Sequence, residues 1–178
     1  MLFRSAMTTL AATAPTGSLP EIALQSVVLL RLGERRFAIA ATQISELVAP
    51  SRLFKFPHQS PRVEGVILRR GRIVPVCEVA ERLLGKKLSA RRFYLIAVRN
   101  YGTHPEWVAI PVTGECELIN AEVTDASPTD APHIAGWISH DGNVIEVLDV
   151  SALTNRPEEV PFNARRLASV TTQPEVTL

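Results

Sequence analysis

The sequence predicts an all-β protein, and three observations carry that prediction. Short runs rich in Val, Ile and Leu alternate with turn-forming residues along most of the chain. Tight-turn glycines, Gly33, Gly71 and Gly142, separate pairs of such runs in the pattern of hairpins. A hairpin-bearing stretch also recurs at an offset of 71 residues.

Taken in order, residues 26–32 and 34–40 are β-rich runs on either side of Gly33, the first hairpin. Residues 41–48 place Ile44, Leu47 and Val48 at helical spacing before Pro50, which predicts a short amphipathic helix. Pro57 and Pro61 punctuate an extended connection. Residues 63–68 and 73–79 then form a second hairpin about the turn Arg69-Arg70-Gly71-Arg72. Residues 78–84, closed by Gly85, read equally as a helical turn or a strand end. Residues 93–98 and 107–112 read as strands flanking a loop over residues 99–106 with Gly102 and Pro105. After a short run at 117–119, residues 120–132 are polar, proline-bearing and read as a loop. Residues 134–138 and 144–148 pair about His140-Asp141-Gly142-Asn143, the strongest local hairpin signal in the chain.

The repeat aligns residues 65–79 with residues 136–150. Gly65, Ile67, Gly71, Val76 and Val79 recur as Gly136, Ile138, Gly142, Val147 and Val150, and Glu78 faces Asp149. A two-stranded hairpin is marginal alone, so two copies with added strands predict two small β-barrels or sheets that share a core. Gly71 and Gly142 read as turn glycines that need positive φ. Val66, Ile67 and Val74 read as core, because alternate strand positions must point inward.

At 178 residues, 21% charged and 46% hydrophobic, with a formal charge of +1, the chain is an ordinary globular one, neither disordered nor polyanion-coating. No run approaches the roughly 18 apolar residues of a spanning helix, so direct membrane insertion is not expected. The weakly apolar beginning is broken by Thr8, Thr9 and Thr13 and reads as a flexible tail rather than a secretory signal. Charge is unevenly spread. Residues 60–92 hold nine Arg and Lys against three acids, a net of +6, whereas residues 101–160 hold one Arg against eleven acids, a net of −10. This split predicts that the Arg69–Arg72 turn and the acidic second half lie on different faces and meet different partners.

Catalysis finds little support. A thiol nucleophile would pair Cys77 or Cys116 with His58, His104, His133 or His140, but Cys77 lies in an apolar strand and His140 in a turn. The two cysteines fit neither a zinc site nor a disulfide framework. A sequence pI near 7.9 and a basic stretch without interleaved aromatics speak against nucleic acid. What the pattern suits is a contact surface. On that reading an edge of Ile44, Leu47, Val66 and Ile67 would supply an apolar centre beside the charged rim of Arg69, Arg70 and Arg72, with the core reading of Val66 and Ile67 the stronger for those two. Arg70 itself reads either as a donor to turn carbonyls or as a group exposed to a partner.

The segment Gly65-Val66-Ile67-Leu68-Arg69-Arg70-Gly71-Arg72-Ile73-Val74-Pro75-Val76 resembles the signature of the CheW family of chemotaxis coupling proteins, roughly G-V-x-N-L-R-G-x-x-V-P-V. Ile44-Ser45-Glu46-Leu47 is similar to the family's V-x-E-I. Gly136-Trp137-Ile138 through Asp149-Val150-Ser151-Ala152-Leu153 is similar to its closing segment. The resemblance spans residues 25–154, between an N-terminal tail (1–24) and a C-terminal tail (155–178). It implies two intertwined five-stranded SH3-like β-barrels, no catalysis, no cofactor and a cytoplasmic location. The implied partners are the regulatory domain of a CheA-type histidine kinase and the cytoplasmic tip of chemoreceptors. The implied contact residues are Ile44, Glu46, Leu47, Arg69, Arg70, Gly71 and Arg72. The chain departs from the family at Leu68-Arg69, where Asn-Leu is usual, and at Val112-Thr113-Gly114-Glu115, where V-D-x-V is usual. Both departures bear on receptor choice and suit a specialised coupling protein, such as one serving a pilus or twitching-motility system.

Overall fold

A computed structural model describes residues 23–55, 62–101 and 103–155; Pro57, Pro61, Gly102 and most of both expected tails lie outside the described residues. The chain forms strands β1 (Leu24–Leu32), β2 (Arg35–Ala40), β3 (Ile44–Val48), β4 (Val63–Arg69) and β5 (Arg72–Cys77), then helix α1 (Ala80–Leu84). It continues with β6 (Phe93–Tyr101), β7 (His104–Val112), β8 (Glu117–Glu122), β9 (Thr124–Asp125), β10 (Ile134–His140), β11 (Asn143–Leu148) and helix α2 (Val150–Thr154). The strands make two sheets, ordered β8-β1-β2-β11-β10-β9 and β3-β6-β7-β5-β4. The first has six strands rather than the expected five because the two-residue β9 adds to its edge.

The repeat extends much further than one hairpin. Strands β10 and β11 lie 71 residues beyond β4 and β5, residue for residue, and a helix follows each pair. Both hairpins turn through two consecutive residues of positive φ, Arg70 (49°) with Gly71 (74°) and Asp141 (50°) with Gly142 (72°), the geometry that matches the twist of the flanking strands. The same offset carries β2 onto β7. Ala38 pairs in parallel with Val147, and Ala109 pairs in parallel with Val76. It also carries Glu46 and Leu47 of β3 onto Glu117 and Leu118 of β8. Each sheet therefore takes its central hairpin from one half of the chain and its other strands from the other half, so the two units are intertwined.

Burial follows from this exchange. One apolar cluster lies within the six-stranded unit (Val27, Leu29, Ala38, Ile138, Ile145), and one within the five-stranded unit (Ile67, Val74, Val76, Ile96, Ala109). A third, the largest, joins them through Leu30, Phe37, Ile39, Leu95, Ile110, Val150 and others. Neighbours on one strand enter different clusters: Leu29 and Leu30, Ala38 and Ile39, Leu95 and Ile96, Ala109 and Ile110. The two exchanged hairpins are thus buried on both faces, which explains their nearly unbroken apolar runs.

Three expectations need correction. Residues 41–48 are not an amphipathic helix: a 3-10 turn over Ala41–Gln43 leads directly into β3. In β3 Ile44, Glu46 and Val48 are partly buried while Ser45 and Leu47 are exposed, a period of two that the acid at an inward position concealed. Residues 99–106 are not a loop, because β6 and β7 continue almost to their turn with Arg99 directly opposite Glu106. Residues 120–132 likewise contain the end of β8 and all of β9. The open choice over residues 78–84 resolves as helix, with Gly85 closing α1 in the left-handed conformation.

Candidate functional site

The residues singled out by sequence converge on one seam. Strands β3 and β4 are the two edges of the five-stranded sheet, and in a flat sheet they would stand about 19 Å apart. Instead Arg69 on β4 grips Glu46 on β3 with both ends of its guanidinium, Nη2 to Oε2 at 2.6 Å and Nε to Oε1 at 3.0 Å. Contact across both edges requires the sheet to curl onto itself as a barrel does. Arg70, the first turn residue, adds a bond of 3.1 Å from its Nη2 to the same Oε2. Glu46 is 15% exposed, Arg69 37% and Arg70 66%. Arg70 is therefore an exposed group directed at a carboxylate. The Arg69 guanidinium holds the Glu46 carboxyl below its ordinary range, with lesser help from Arg70.

The rest of the surface is built by strand alternation. Ile67 and Val74 point into the barrel and are buried, while Val66 is only partly so. Leu68 and Ile73, the next cross-strand pair, therefore point out and are 61% and 71% exposed. Leu47 is exposed on β3 and Ile44 is half-buried. Arg72 lies over the Trp107 ring, 4.8 Å from its centroid. The structure thus brings together Glu46, Arg69, Arg70 and Arg72. It adds Ile73 and Trp107, which sequence reasoning did not single out, and Leu68, which it marked only as a departure from the family signature. Alternation from Ile67 and Val74 was the available signal for the first two.

The equivalent place in the other half is chemically different. Glu117 replaces Glu46, His140 and Asp141 replace Arg69 and Arg70, and Asn143 replaces Arg72. Glu117 is exposed, and Asp141 turns to Arg36 at 3.5 Å. Among the described residues the ion cluster belongs to one barrel only. The charge split is likewise partly consumed inside the molecule. Among the second-half acids, Glu106 pairs with Arg99, Glu146 with Arg35 and Glu115 with Arg92. The basic turn sits on the five-stranded sheet, whereas Glu117, Glu122, Asp125, Asp141 and Glu146 sit on the six-stranded one.

The departure at residues 112–115 is structural. Val112 is buried, and the Thr113 N–H and hydroxyl both donate to the Arg31 carbonyl, at 2.9 and 3.0 Å, tying the end of β7 to β1. Burial pushes the Cys77 and Cys116 thiols up to about 11, so both are protonated at neutral pH and poor nucleophiles. Among the described residues no helix is long and apolar enough to cross a membrane.

Among curated proteins, none matches the chain in sequence. Fifteen chains of solved structure match it. One is the scaffolding protein TtCheW from Thermoanaerobacter tengcongensis, with a TM-score of 0.65 at 19% identity, over 76% of this chain and 95% of that one. At that identity the likeness shows the fold. The CheW-like domain itself matches residues 26–158, which is most of the chain, and on that match the protein belongs to the CheW-like domain family.

Proposed function

We propose that this protein is a non-enzymatic coupling scaffold of a chemotaxis-type signalling system, holding a CheA-type histidine kinase and chemoreceptors in one assembly in the cytoplasm. The observation that carries the reading is the surface at the β3–β4 seam. An exposed apolar pair, Leu68 and Ile73, lies beside an exposed arginine, Arg70, on a turn made rigid by an ion cluster and a cation–π contact. A desolvated apolar centre with a charged rim is what specific protein contacts use. Ile44, Glu46, Leu47, Arg69, Arg70, Gly71 and Arg72 form or support this surface. The family match supports the class of partner, a CheA-type kinase and chemoreceptors; within that class we assign the contacts to the kinase regulatory domain and the receptor tip. Membership of a scaffold family and two protonated thiols both support a role without catalysis. The basic turn on one sheet and the exposed acids Glu117, Glu122 and Asp125 on the other support different partners for the two barrels.

The departure at Leu68-Arg69 favours a second reading within the same class, an adaptor of a pilus or twitching-motility chemosensory system with altered receptor contact. The test is isothermal titration of the whole chain against the regulatory domain of a chemotaxis histidine kinase from its own genome, with Arg70→Ala and Glu46→Ala as comparators. Micromolar binding by the wild type is expected. A folded wild-type protein that binds neither the kinase domain nor any receptor tip from that genome would overturn the coupling role.

A further inference from the structure

The seam brings the three arginines of the turn to one acid, Glu46 of β3, and their bonds are unequally shared. Arg69 occupies both oxygens of Glu46 in a bidentate grip, whereas Arg70 reaches one of those oxygens at 3.1 Å and stays 66% exposed. Arg72 is spread over Trp107. With Glu46 so engaged, the seam presents a net excess of positive charge beside Leu68 and Ile73. In the other half Glu117 meets no arginine at the corresponding turn, and it stands exposed with no ion pair among the described residues. The two halves therefore show the same strand position with its acid engaged and with its acid free.

We infer that Arg69 is a specificity-determining residue: by gripping both oxygens of Glu46 it removes that carboxylate from the recognition surface and leaves Arg70 with one shared bond and most of its side chain exposed, so the matching partner segment carries a carboxylate among aliphatic side chains rather than a cation. This rests on the coupling reading and names the partner chemistry of that same seam. The physical argument is competition for one carboxylate. A bidentate arginine–carboxylate pair is geometrically favoured over a single bond from an exposed side chain, so Arg69 holds Glu46 and the single 3.1 Å bond of Arg70 is the one a partner carboxylate can replace. If Arg69 is replaced by the family's leucine, Arg70 becomes the partner of Glu46 and is lost to the surface. A partner acid then faces a neutral pair and is desolvated without a counter-charge.

The test uses the whole chain against the cytoplasmic-tip fragment of a chemoreceptor from the same genome, with the kinase regulatory domain as a reference partner and circular dichroism to verify folding. Arg70→Glu and Arg69→Leu should each weaken tip binding by about tenfold or more. Glu46→Gln alone should bind the tip at least as well as wild type. The decisive variant is Glu46→Gln combined with Arg69→Leu: with no carboxylate to capture it, Arg70 is open to the partner and wild-type affinity should return. A role of Arg69 confined to bracing the seam predicts no such rescue. The inference is overturned if Arg69→Leu binds the tip like wild type, if the double variant stays as weak as Arg69→Leu, or if Glu46→Gln alone loses binding. Wild-type protein that binds neither probe overturns the coupling reading itself, which separates the two failures.

Discussion

Two glycines of the β4–β5 hairpin are required for different physical reasons, and their substitutions should differ accordingly. Gly71 has φ 74° and open space where a Cβ would stand, so Gly71→Ala meets only backbone strain and should cost about 1 kcal/mol. A Cβ on Gly65 would lie 2.6 Å from the Phe54 carbonyl oxygen, which already accepts the Val66 N–H at 2.9 Å. Gly65→Ala must displace that bridge, and a cost of about 3 kcal/mol is expected, so urea midpoints should order wild type, Gly71→Ala, Gly65→Ala. Glu46 offers a second residue-level prediction. Its carboxyl titrates below its unfolded value, so its stabilising contribution is complete above the unfolded carboxylate range and lost as pH falls through the folded pKa. Glu46→Gln should therefore flatten the acid limb of stability. Because the Arg69 hydrogen bond is the largest cause, Arg69→Leu should move the Glu46 carboxyl upward in a ¹³C titration more than Arg70→Ala does. Equal shifts from the two variants would contradict the bidentate geometry.

At the scale of elements, both helices are a few residues long and depend on what holds their ends. In α2 the Asp149 carboxylate accepts the Ala152 N–H at 3.0 Å as an N-cap. At the other end Arg82 donates to the Ala152 carbonyl at 2.8 Å, Arg99 to that of Thr154 at 3.0 Å, and Arg62 to that of Asn155. Asp149→Ala should thus cost about 1 kcal/mol and speed amide exchange at Ala152 and Leu153; unchanged exchange there would remove the cap from the account. These elements also show which features a sequence displays. The hairpins at Gly33, Arg70-Gly71 and Asp141-Gly142 were legible because a tight turn and its flanking strands are local. Strand β3 was not, because its inward position 46 is an acid neutralised from another strand. The full length of β6–β7 was hidden likewise, since Arg99 and Glu106 read as loop residues until seen as cross-strand partners at 2.6 Å. At the site, resemblance singled out Glu46 and the arginine turn. That Arg69 rather than Arg70 takes both oxygens of Glu46, and that Trp107 supports Arg72, depends on β3, β4 and β7 meeting in space, for which no local pattern exists.

The exchange of hairpins between halves was equally illegible, because the parallel pairings Ala38 with Val147 and Val76 with Ala109 join distant segments. It has a consequence for the whole molecule. Neither half of the chain closes a sheet alone: β1 and β2 complete the sheet of β8–β11, and β6 and β7 complete that of β3–β5. Phe37, Ile39, Leu95 and Ile110 of those hairpins also form the shared central cluster, with Val79 just before α1 and Val150 and Leu153 of α2. Opening one barrel exposes that cluster and strips the other barrel of its neighbour, so the two should unfold as one cooperative unit. The two tryptophans report on the barrels separately, Trp107 on β7 of one sheet and Trp137 on β10 of the other. Trp107→Phe and Trp137→Phe leave one reporter each. After correction for the small stability change of each substitution by far-ultraviolet circular dichroism, fluorescence and dichroism midpoints in urea should coincide in both variants. A barrel that melted earlier than the dichroism signal in its own variant would show that the exchanged hairpins link the halves topologically without coupling them energetically.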